Sequence, residues 1–342
     1  MAAEVEKNRP RIVILVGPTG MGKSKLAMEW AEGLGGEIIS ADSVQVYQYM
    51  DIGTAKPTLH DRKRVRHHLI DLVPPDQPFH AALYRTLGRK TIDQLFQDGK
   101  PIWVVGGTGL YIKTLTQGLF TSPKIDPRAR ERLRQEANEK GSEALYERLK
   151  EVDCQTARHL HPHDLFRIIR ALEVFDSTGA PISFYREQHR FGEKPYLTLK
   201  IGLEMDRDKL YRRIDERVDR MLEEGLLQEV EKLMAMGYGP ELKPMQSLGY
   251  KQMVQFLLKK IGWDEAVREM KRDTRHYAKR QWTWFKADPE VCWWDESTDR
   301  QRIFLNVKSF WGKGGPRLDE ASIDYPRSIS QSCPAGSETG RD

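Results

Sequence analysis

"RIVILVGPTGMGKSKLAMEWAEGLG", residues 11–35, decides the fold. Residues 11–17 are mostly apolar and branched, the pattern of a strand buried on both faces, and the stretch from Lys23 carries helical spacing closed by glycines. Between strand and helix, Gly17, Gly22, Lys23 and Ser24 satisfy the spacing GxxxxGK[ST]. In that pattern the glycines let backbone amides surround phosphate oxygens, the lysine neutralises them, and the hydroxyl is available to magnesium. Gly17, Pro18, Thr19, Gly20, Met21, Gly22, Lys23 and Ser24 are therefore the candidate phosphate cradle. The spacing leaves open whether the phosphates belong to ATP, to another nucleotide or to something smaller.

Outward from the loop, "GEIISADS" (36–43) reads as a second strand ending at Asp42, and "PIWVVGGTGLY" (101–111) as a strand whose glycine turn opens another helix. Strands alternating with helices predict an α/β fold, a P-loop NTPase-like parallel sheet flanked by helices. In such a sheet the carboxyl ends of the strands face the phosphate crevice, which puts Asp42 there. A carboxylate at that point can hold magnesium, accept a proton from a nucleophile, or merely cap a turn. The strand "PIWVVGG" ends in glycines without an acid, so it cannot supply the magnesium aspartate usual in an ATPase.

From 124 to 190 the pattern is helical only, an all-helical insertion domain that includes "PRARERLRQEANEK" and "DLFRIIRALEVF". In the latter, Leu165, Ile168, Ile169, Leu172 and Phe175 share one face, with Arg167 and Arg170 off it. "YLTLKIGLEM" (196–205) returns to strand, and a helix follows with Asp206 as its cap. Ile214, Val218, Met221 and Leu222 form its apolar stripe and leave Arg213 and Arg217 one turn apart outside it. "EVCWWDE" reads as the last strand. The expected division is an N-terminal extension (1–10), a catalytic core (11–123 and 191–295), the insertion (124–190), and a Gly-, Ser- and Pro-rich tail (313–342) expected to be disordered.

Composition narrows the class. With 39% hydrophobic and 31% charged residues, and no apolar run near bilayer length, no membrane role is expected. The N-terminus lacks the apolar core of a signal peptide, and the three cysteines form no CxxC pair, so a cytoplasmic monomer with free thiols is expected. Residues 266–286 hold seven Lys or Arg against two acids, a local +5 equal to the net charge of the chain. Tyr277, Trp282, Trp284 and Phe285 are interleaved with them. The mixture suits phosphate contact and base stacking, but by itself the segment is read first as an amphipathic helix with a solvated basic face and aromatic core anchors.

Several segments together resemble one family, the bacterial tRNA dimethylallyltransferases, or isopentenyl-diphosphate:tRNA isopentenyltransferases. They are "GPTGMGKS", "ADSVQVYQYMDIGTAKP", "HHLIDLVPP", "VVGGTGLYIKTL", "HPHDLFRIIRALEVF", "LYRRIDERVDRML", "LGYKQ" and "TRHYAKRQWTWF", in family order from about residue 11 to 294. The resemblance implies that the loop holds dimethylallyl diphosphate rather than ATP. The dimethylallyl group then passes to N6 of adenosine 37 in tRNAs reading codons that begin with U, giving N6-(dimethylallyl)adenosine and diphosphate.

The resemblance also implies residue roles. Asp42 is the general base, and Lys23, Thr19, Arg217 and Ser24 with Mg2+ act on the diphosphate. The tRNA anticodon stem-loop meets Asp42, Ser43, Val44 and Gln45; Thr108; Arg130; Phe166, Arg167, Ile168, Ile169 and Arg170; and Ser247, Leu248, Gly249, Tyr250, Lys251 and Gln252. By pattern alone, a solvated face for Arg167 and Arg170 and a core aromatic for Tyr250 stay open as alternatives. His163 stands where the family usually has asparagine, and His80 where serine is common. The His159–His163 run is interrupted by Pro162, and the family holds no metal there.

Three rival readings differ in class. A small-molecule kinase shares the loop and predicts ATP turnover. An adenylate isopentenyltransferase uses free AMP and needs no helical arm. A non-enzymatic RNA-binding protein leaves the loop idle. A requirement for an intact anticodon separates all three from the favoured reading.

Overall fold

A computed structural model describes residues 9–119, 126–189 and 192–312, apart from the side chains of Pro127 and Glu296. The tail at 313–342 and most of the expected extension lie outside the described residues. The described residues form two compact units, one of residues 9–115 and 195–312 and the other within Thr116–Lys194.

The first unit is built on a six-stranded, all-parallel sheet in the order β3-β2-β4-β1-β5-β6. The strands are β1 (Arg11–Val16), β2 (Glu37–Ser40), β3 (His67–His68), β4 (Ile102–Val105), β5 (Leu197–Glu204) and β6 (Val291–Asp295). The helices are α1 (Lys23–Gly33), α2 (Leu59–Arg64), α3 (Ala81–Gln97) and α4 (Gly109–Gln117), then α10 (Arg207–Glu223), α11 (Leu226–Ala235), α12 (Tyr250–Leu257), α13 (Trp263–Lys286) and α14 (Glu296–Gly312).

β1 lies between β4 and β5, with Ile12 opposite Ile102 on one side and Thr198 on the other. Its apolar residues serve both faces in turn. Ile12, Ile14 and Val16 join Ile39, Ile102 and Val104 in one core with Tyr84, Ile92 and Leu95 of α3. Val13 and Leu15 join Ile38, Trp103 and Leu203 in the other, with Leu26 and Trp30 of α1. A strand buried on both faces has no polar face to show, which is why its sequence reads as a continuous run.

Three sequence expectations shift. β2 ends at Ser40, two residues before Asp42, because the Asp42 carboxylate draws the chain into a turn by accepting from the Val44 and Gln45 amides. In α10 the buried stripe is Leu210, Ile214, Val218 and Met221, with Leu222 only partly buried, since Leu210 continues the fourfold spacing and Leu222 sits at its edge. Beyond β6, α14 covers the sheet with Ile303, Val307 and Trp311, an i, i+4, i+8 row that the sequence reading passed over. The Asp206 cap on α10 is as expected, its carboxylate accepting from the Asp208 and Lys209 amides.

The second unit holds α5 (Pro127–Lys140), α6 (Ser142–Val152), α7 (Cys154–Ala157), α8 (Leu165–Thr178) and α9 (Ile182–His189). Leu133, Leu145, Leu149, Ile168, Leu172 and Ile182 form its own core. Inside it Glu173 is fully buried and accepts two 2.7 Å hydrogen bonds from Arg130 and one from Arg170. Burial raises the Glu173 pKa, but the two guanidiniums outweigh it and hold the carboxyl below its usual range. No described helix is long and apolar enough to cross a membrane.

Candidate functional site

Three backbone segments at the carboxyl ends of the strands make the site. The first is the loop after β1. Gly17, Gly20 and Gly22 adopt φ of +134°, +87° and +82°, a backbone that side-chain-bearing residues rarely follow. At Gly17 a Cβ would also stand 3.0 Å from the Leu203 carbonyl oxygen. The loop delivers Lys23 to the start of α1, where the side chain is 9% exposed and its Nζ donates to the Pro18 carbonyl at 2.8 Å. Burial, with Arg217 adding like-charge repulsion and Asp42 opposing, brings the Lys23 pKa down from 10.5 to about 7. Ser24, next along, is exposed.

The second segment is the turn after β2. Asp42 Oδ1 accepts from the amides of Val44 (2.8 Å) and Gln45 (3.2 Å), and among the described residues Oδ2 has no hydrogen-bond partner. The third is the glycine turn after β4. It lies against the second so closely that a Cβ on Gly106 would stand 2.2 Å from the Ala41 carbonyl oxygen. Thr108 ties the two together: its amide donates to the Ala41 carbonyl at 3.0 Å, and its Oγ1 accepts from the Ser43 amide at 3.0 Å.

The first two segments open into a crevice of about 540 Å³. Thr19, Asp42 and Arg217 line it together with Ser43 and Val44. Burial lowers the Arg217 pKa, and the Asp42 carboxylate pushes it back up, so cation and anion face one space. Ser247, Leu248, Tyr250, Lys251 and Gln252 line the same crevice, as do Tyr277 and Arg280 of α13. Thr19 of the glycine loop, the Asp42 carboxylate and the basic helix thus meet in one cavity, while Gly20 and Gly22 line a second one with Arg213, Arg217 and Arg220.

The remaining expected residues divide by burial. Gln45 is buried, accepting from Ser40 Oγ at 2.8 Å and donating to the Thr54 carbonyl at 3.2 Å. Tyr250 is fully buried and donates to Glu229 at 2.6 Å, and Gln252, also buried, bonds the Gly249 amide and Asp273. The Gly249 turn has φ +86°, and a Cβ there would stand 3.0 Å from the Met270 Cε. In the helical unit, Ile168 and Ile169 are core, Phe166 is 75% exposed, Arg167 is exposed beside Asp164, and Arg130 is paired with Glu173. His161 and His163 lie with ring centroids 5.0 Å apart, and His80 caps α3 through the Leu83 amide.

Two residues that the sequence reading did not single out organise the site. The Glu229 carboxylate accepts from the amides of Asp51, Ile52 and Gly53 and from the Tyr250 hydroxyl. Gln281 accepts from the Thr19 amide at 2.8 Å and donates to the Gly107 carbonyl at 3.0 Å. A signal for Gln281 was present: Thr274, Ala278, Gln281 and Phe285 form the buried stripe of α13, and a glutamine in such a stripe needs partners.

Compared with known proteins, residues 45–288 match the family model described as IPP transferase, and residues 10–75 match that described as isopentenyl transferase. A tRNA dimethylallyltransferase of Syntrophobacter fumaroxidans is 54% identical over 284 residues, 83% of each chain. One from Desulfosudis oleivorans is 51% identical over 302 residues, 88% of this chain and 96% of its own. Among solved structures, the tRNA isopentenylpyrophosphate transferase of Bacillus halodurans is similar with a TM-score of 0.66 and 37% identity, over 90% of this chain and 97% of the other. A eukaryotic dimethylallyltransferase solved acting on tRNA is similar with a TM-score of 0.77 and 27% identity, over 91% and 81%.

Proposed function

Since the chain belongs to the IPP transferase family, we propose that it is a tRNA dimethylallyltransferase, moving a dimethylallyl group from dimethylallyl diphosphate to N6 of adenosine 37 beside the anticodon. The observation that carries this reading is the meeting of Thr19, Asp42 and Arg217 on one crevice of about 540 Å³. A cradle for a phosphorylated leaving group therefore stands beside a carboxylate with a free oxygen.

The chemistry follows from those groups. N6 bonds to the allylic carbon, the carbon–oxygen bond breaks with its electrons leaving on diphosphate, and the N6 proton passes to the Asp42 carboxylate. Positive charge on the allylic carbon and negative charge on the leaving oxygens grow together, so donors fixed around the diphosphate act mainly in the transition state. The loop amides, Lys23 and Arg217 supply those donors. Thr19 adds a hydroxyl within the same loop.

Magnesium fits the site as a partner of the diphosphate. The exposed Ser24 hydroxyl at the start of α1 is the hard oxygen donor such a cation takes, and among the described residues no group of three or more His, Cys, Asp or Glu side chains is placed to hold a metal. Ser24 would hold it, and it would supply charge to the leaving group.

An adenine stacked in an anticodon loop must leave the stack before N6 can reach the crevice. The half-buried or exposed members of the expected tRNA set, Ser43, Val44, Thr108, Ser247, Leu248 and Lys251, are suited to touching the RNA. Gln45, Tyr250 and Gln252 are suited to shaping the surface it meets. The helical unit offers Phe166 and Arg167 to the anticodon stem. We place the enzyme in the cytoplasm as a monomer.

The test is transfer of label from radiolabelled dimethylallyl diphosphate to an unmodified tRNA transcript with magnesium, comparing wild type with Asp42→Ala. Label on adenosine 37 that falls by about 10²- to 10⁴-fold in the variant is the expected result for loss of a general base. Absence of transfer by the wild type, with ATP hydrolysed instead, would make the loop that of a kinase.

A further inference from the structure

The carboxamide of Gln281 joins two segments that come from different parts of the chain. Its Oε1 takes the Thr19 amide of the phosphate loop at 2.8 Å, and its Nε2 donates to the Gly107 carbonyl of the turn after β4 at 3.0 Å. The side chain is 6% exposed, so neither bond is exchanged freely with water. Gly107 is shaped for this contact, since a Cβ there would stand 2.0 Å from Gln281 Nε2.

The connection runs on to the base. Thr108, next to Gly107, accepts from the Ser43 amide and donates its own amide to Ala41, and these two residues flank Asp42. Tyr277, one turn before Gln281 on α13, is buried beside the same groups, and burial together with the Asp42 charge pushes its hydroxyl pKa up. One side chain on α13 therefore links the cradle of the leaving group to the turn that holds the carboxylate.

We propose that Gln281 is a positioning residue for the transfer reaction: it sets the separation between the diphosphate cradle at Thr19 and the base at Asp42. The inference rests on the transferase reading for its kinetic consequence. In-line displacement needs attacking and leaving atoms aligned, and a misplacement of about 1 Å costs on the order of 10²-fold in rate. Gln281 touches neither reacting atom in this scheme. It acts through the Thr19 amide on one side and through Gly107 and Thr108 on the other.

Two variants attack the link from opposite ends. Gln281→Met keeps length and apolar bulk but offers neither bond, and Gly107→Ala leaves the glutamine in place while its Cβ displaces the carboxamide. For each, kcat for transfer from dimethylallyl diphosphate, KM for the tRNA transcript, the affinity for inorganic diphosphate by calorimetry, and hydrogen exchange of the peptide spanning residues 16–24 are measured. The expected result for both is a fall in kcat of about 30-fold or more, KM for tRNA within about 3-fold of wild type, and faster exchange in the loop peptide.

A kcat within about 2-fold of wild type in a folded variant overturns the proposal. So does a KM for tRNA that rises as much as kcat falls, which would make Gln281 part of the RNA-docking helix alone. Tighter binding of inorganic diphosphate also overturns it, because the glutamine would then be a latch occupying a phosphate-binding amide. If Gln281→Met does not fold, Gly107→Ala decides. The exchange and diphosphate measurements read the link even if the wild type transfers no label, so failure here is distinct from failure of the transferase reading.

Discussion

The Lys23 ammonium is buried, donates to the Pro18 carbonyl and feels Arg217 as a like charge, and its pKa is about 7. At neutral pH an appreciable fraction is therefore uncharged until an anion arrives. Diphosphate favours the charged form, so binding takes up protons at and above neutrality. Affinity for inorganic diphosphate is expected to weaken as pH rises from about 7 to 9, approaching tenfold per pH unit, by calorimetry. Lys23→Arg, charged throughout, is expected to lack that slope, which separates it from the titration of the ligand itself. The ligand-free protein is expected to show the opposite trend in stability. With the folded pKa below the usual 10.5, the unfolded chain binds more protons between about pH 7 and 10.5, so stability rises with pH across that window. The penalty is fully present below pH 7, at an order of 3 to 5 kcal/mol. Lys23→Met is expected to remove the slope and to raise the melting temperature most at low pH. Unchanged pH dependence in that variant would mean the lysine is charged throughout.

At the scale of elements, the site is made of loops that hold one another. The loop at 51–53 is fastened to α11 by one carboxylate, Glu229, which takes three amides and the Tyr250 hydroxyl. Gly53 meets the Tyr250 ring so closely that a Cβ would stand 2.4 Å from it. Glu229→Ala leaves the half-buried Ile52 and Gly53 amides and the buried Tyr250 hydroxyl without that acceptor, and a loss of about 2 to 4 kcal/mol is expected in urea unfolding. KM for tRNA should rise with it, since Gly53 and Tyr250 line the crevice. A variant that unfolds at the wild-type midpoint would show that water replaces the carboxylate without cost. The turn after β4 makes a sharper case: Gly106→Ala would drive a methyl group into the Ala41 carbonyl. Displacing that backbone moves Asp42, and transfer should fall by about 10²-fold while the sheet beneath, buried and paired, stays folded by circular dichroism.

For the molecule as a whole, the proposed function divides between the two units. Everything assigned to the leaving group and the base lies in the sheet-containing unit, whereas Phe166 and Arg167 lie in the helical one. Phe166→Ala with Arg167→Ala is expected to raise KM for tRNA about tenfold and flatten its dependence on salt, with diphosphate affinity unchanged. Weaker diphosphate binding in that double variant would contradict the division. Stability of the helical unit depends on Glu173, whose folded pKa is held down by Arg130 and Arg170 against burial. That contribution is present above the unfolded carboxyl pKa of about 4.5 and is lost as pH falls through the lower folded value. Arg130→Ala should unfold this unit earlier on acidification, monitored by hydrogen exchange in α5 and α8.

What the sequence determined alone is what local pattern can encode. An apolar run followed by a glycine loop and a helix specified the parallel sheet and the loop that turns from β1 into α1, since Gly17, Gly20 and Gly22 adopt backbone angles that side-chain-bearing residues rarely follow. Ile168, Ile169 and Leu172 of the expected row of α8 are buried, with Leu165 and Phe175 only partly so, and the cap of α10 was legible for the same reason: both depend on spacing of three to four residues. Whether Tyr250 and Gln252 lie inside, that Glu173 is a buried carboxylate, and that Gln281 joins residues 19 and 107 were settled only by tertiary structure. Those facts concern groups separated by tens to hundreds of residues. A side chain's burial and its hydrogen-bond partners are set by what packs against it from elsewhere in the chain, and periodicity along one element carries no record of that.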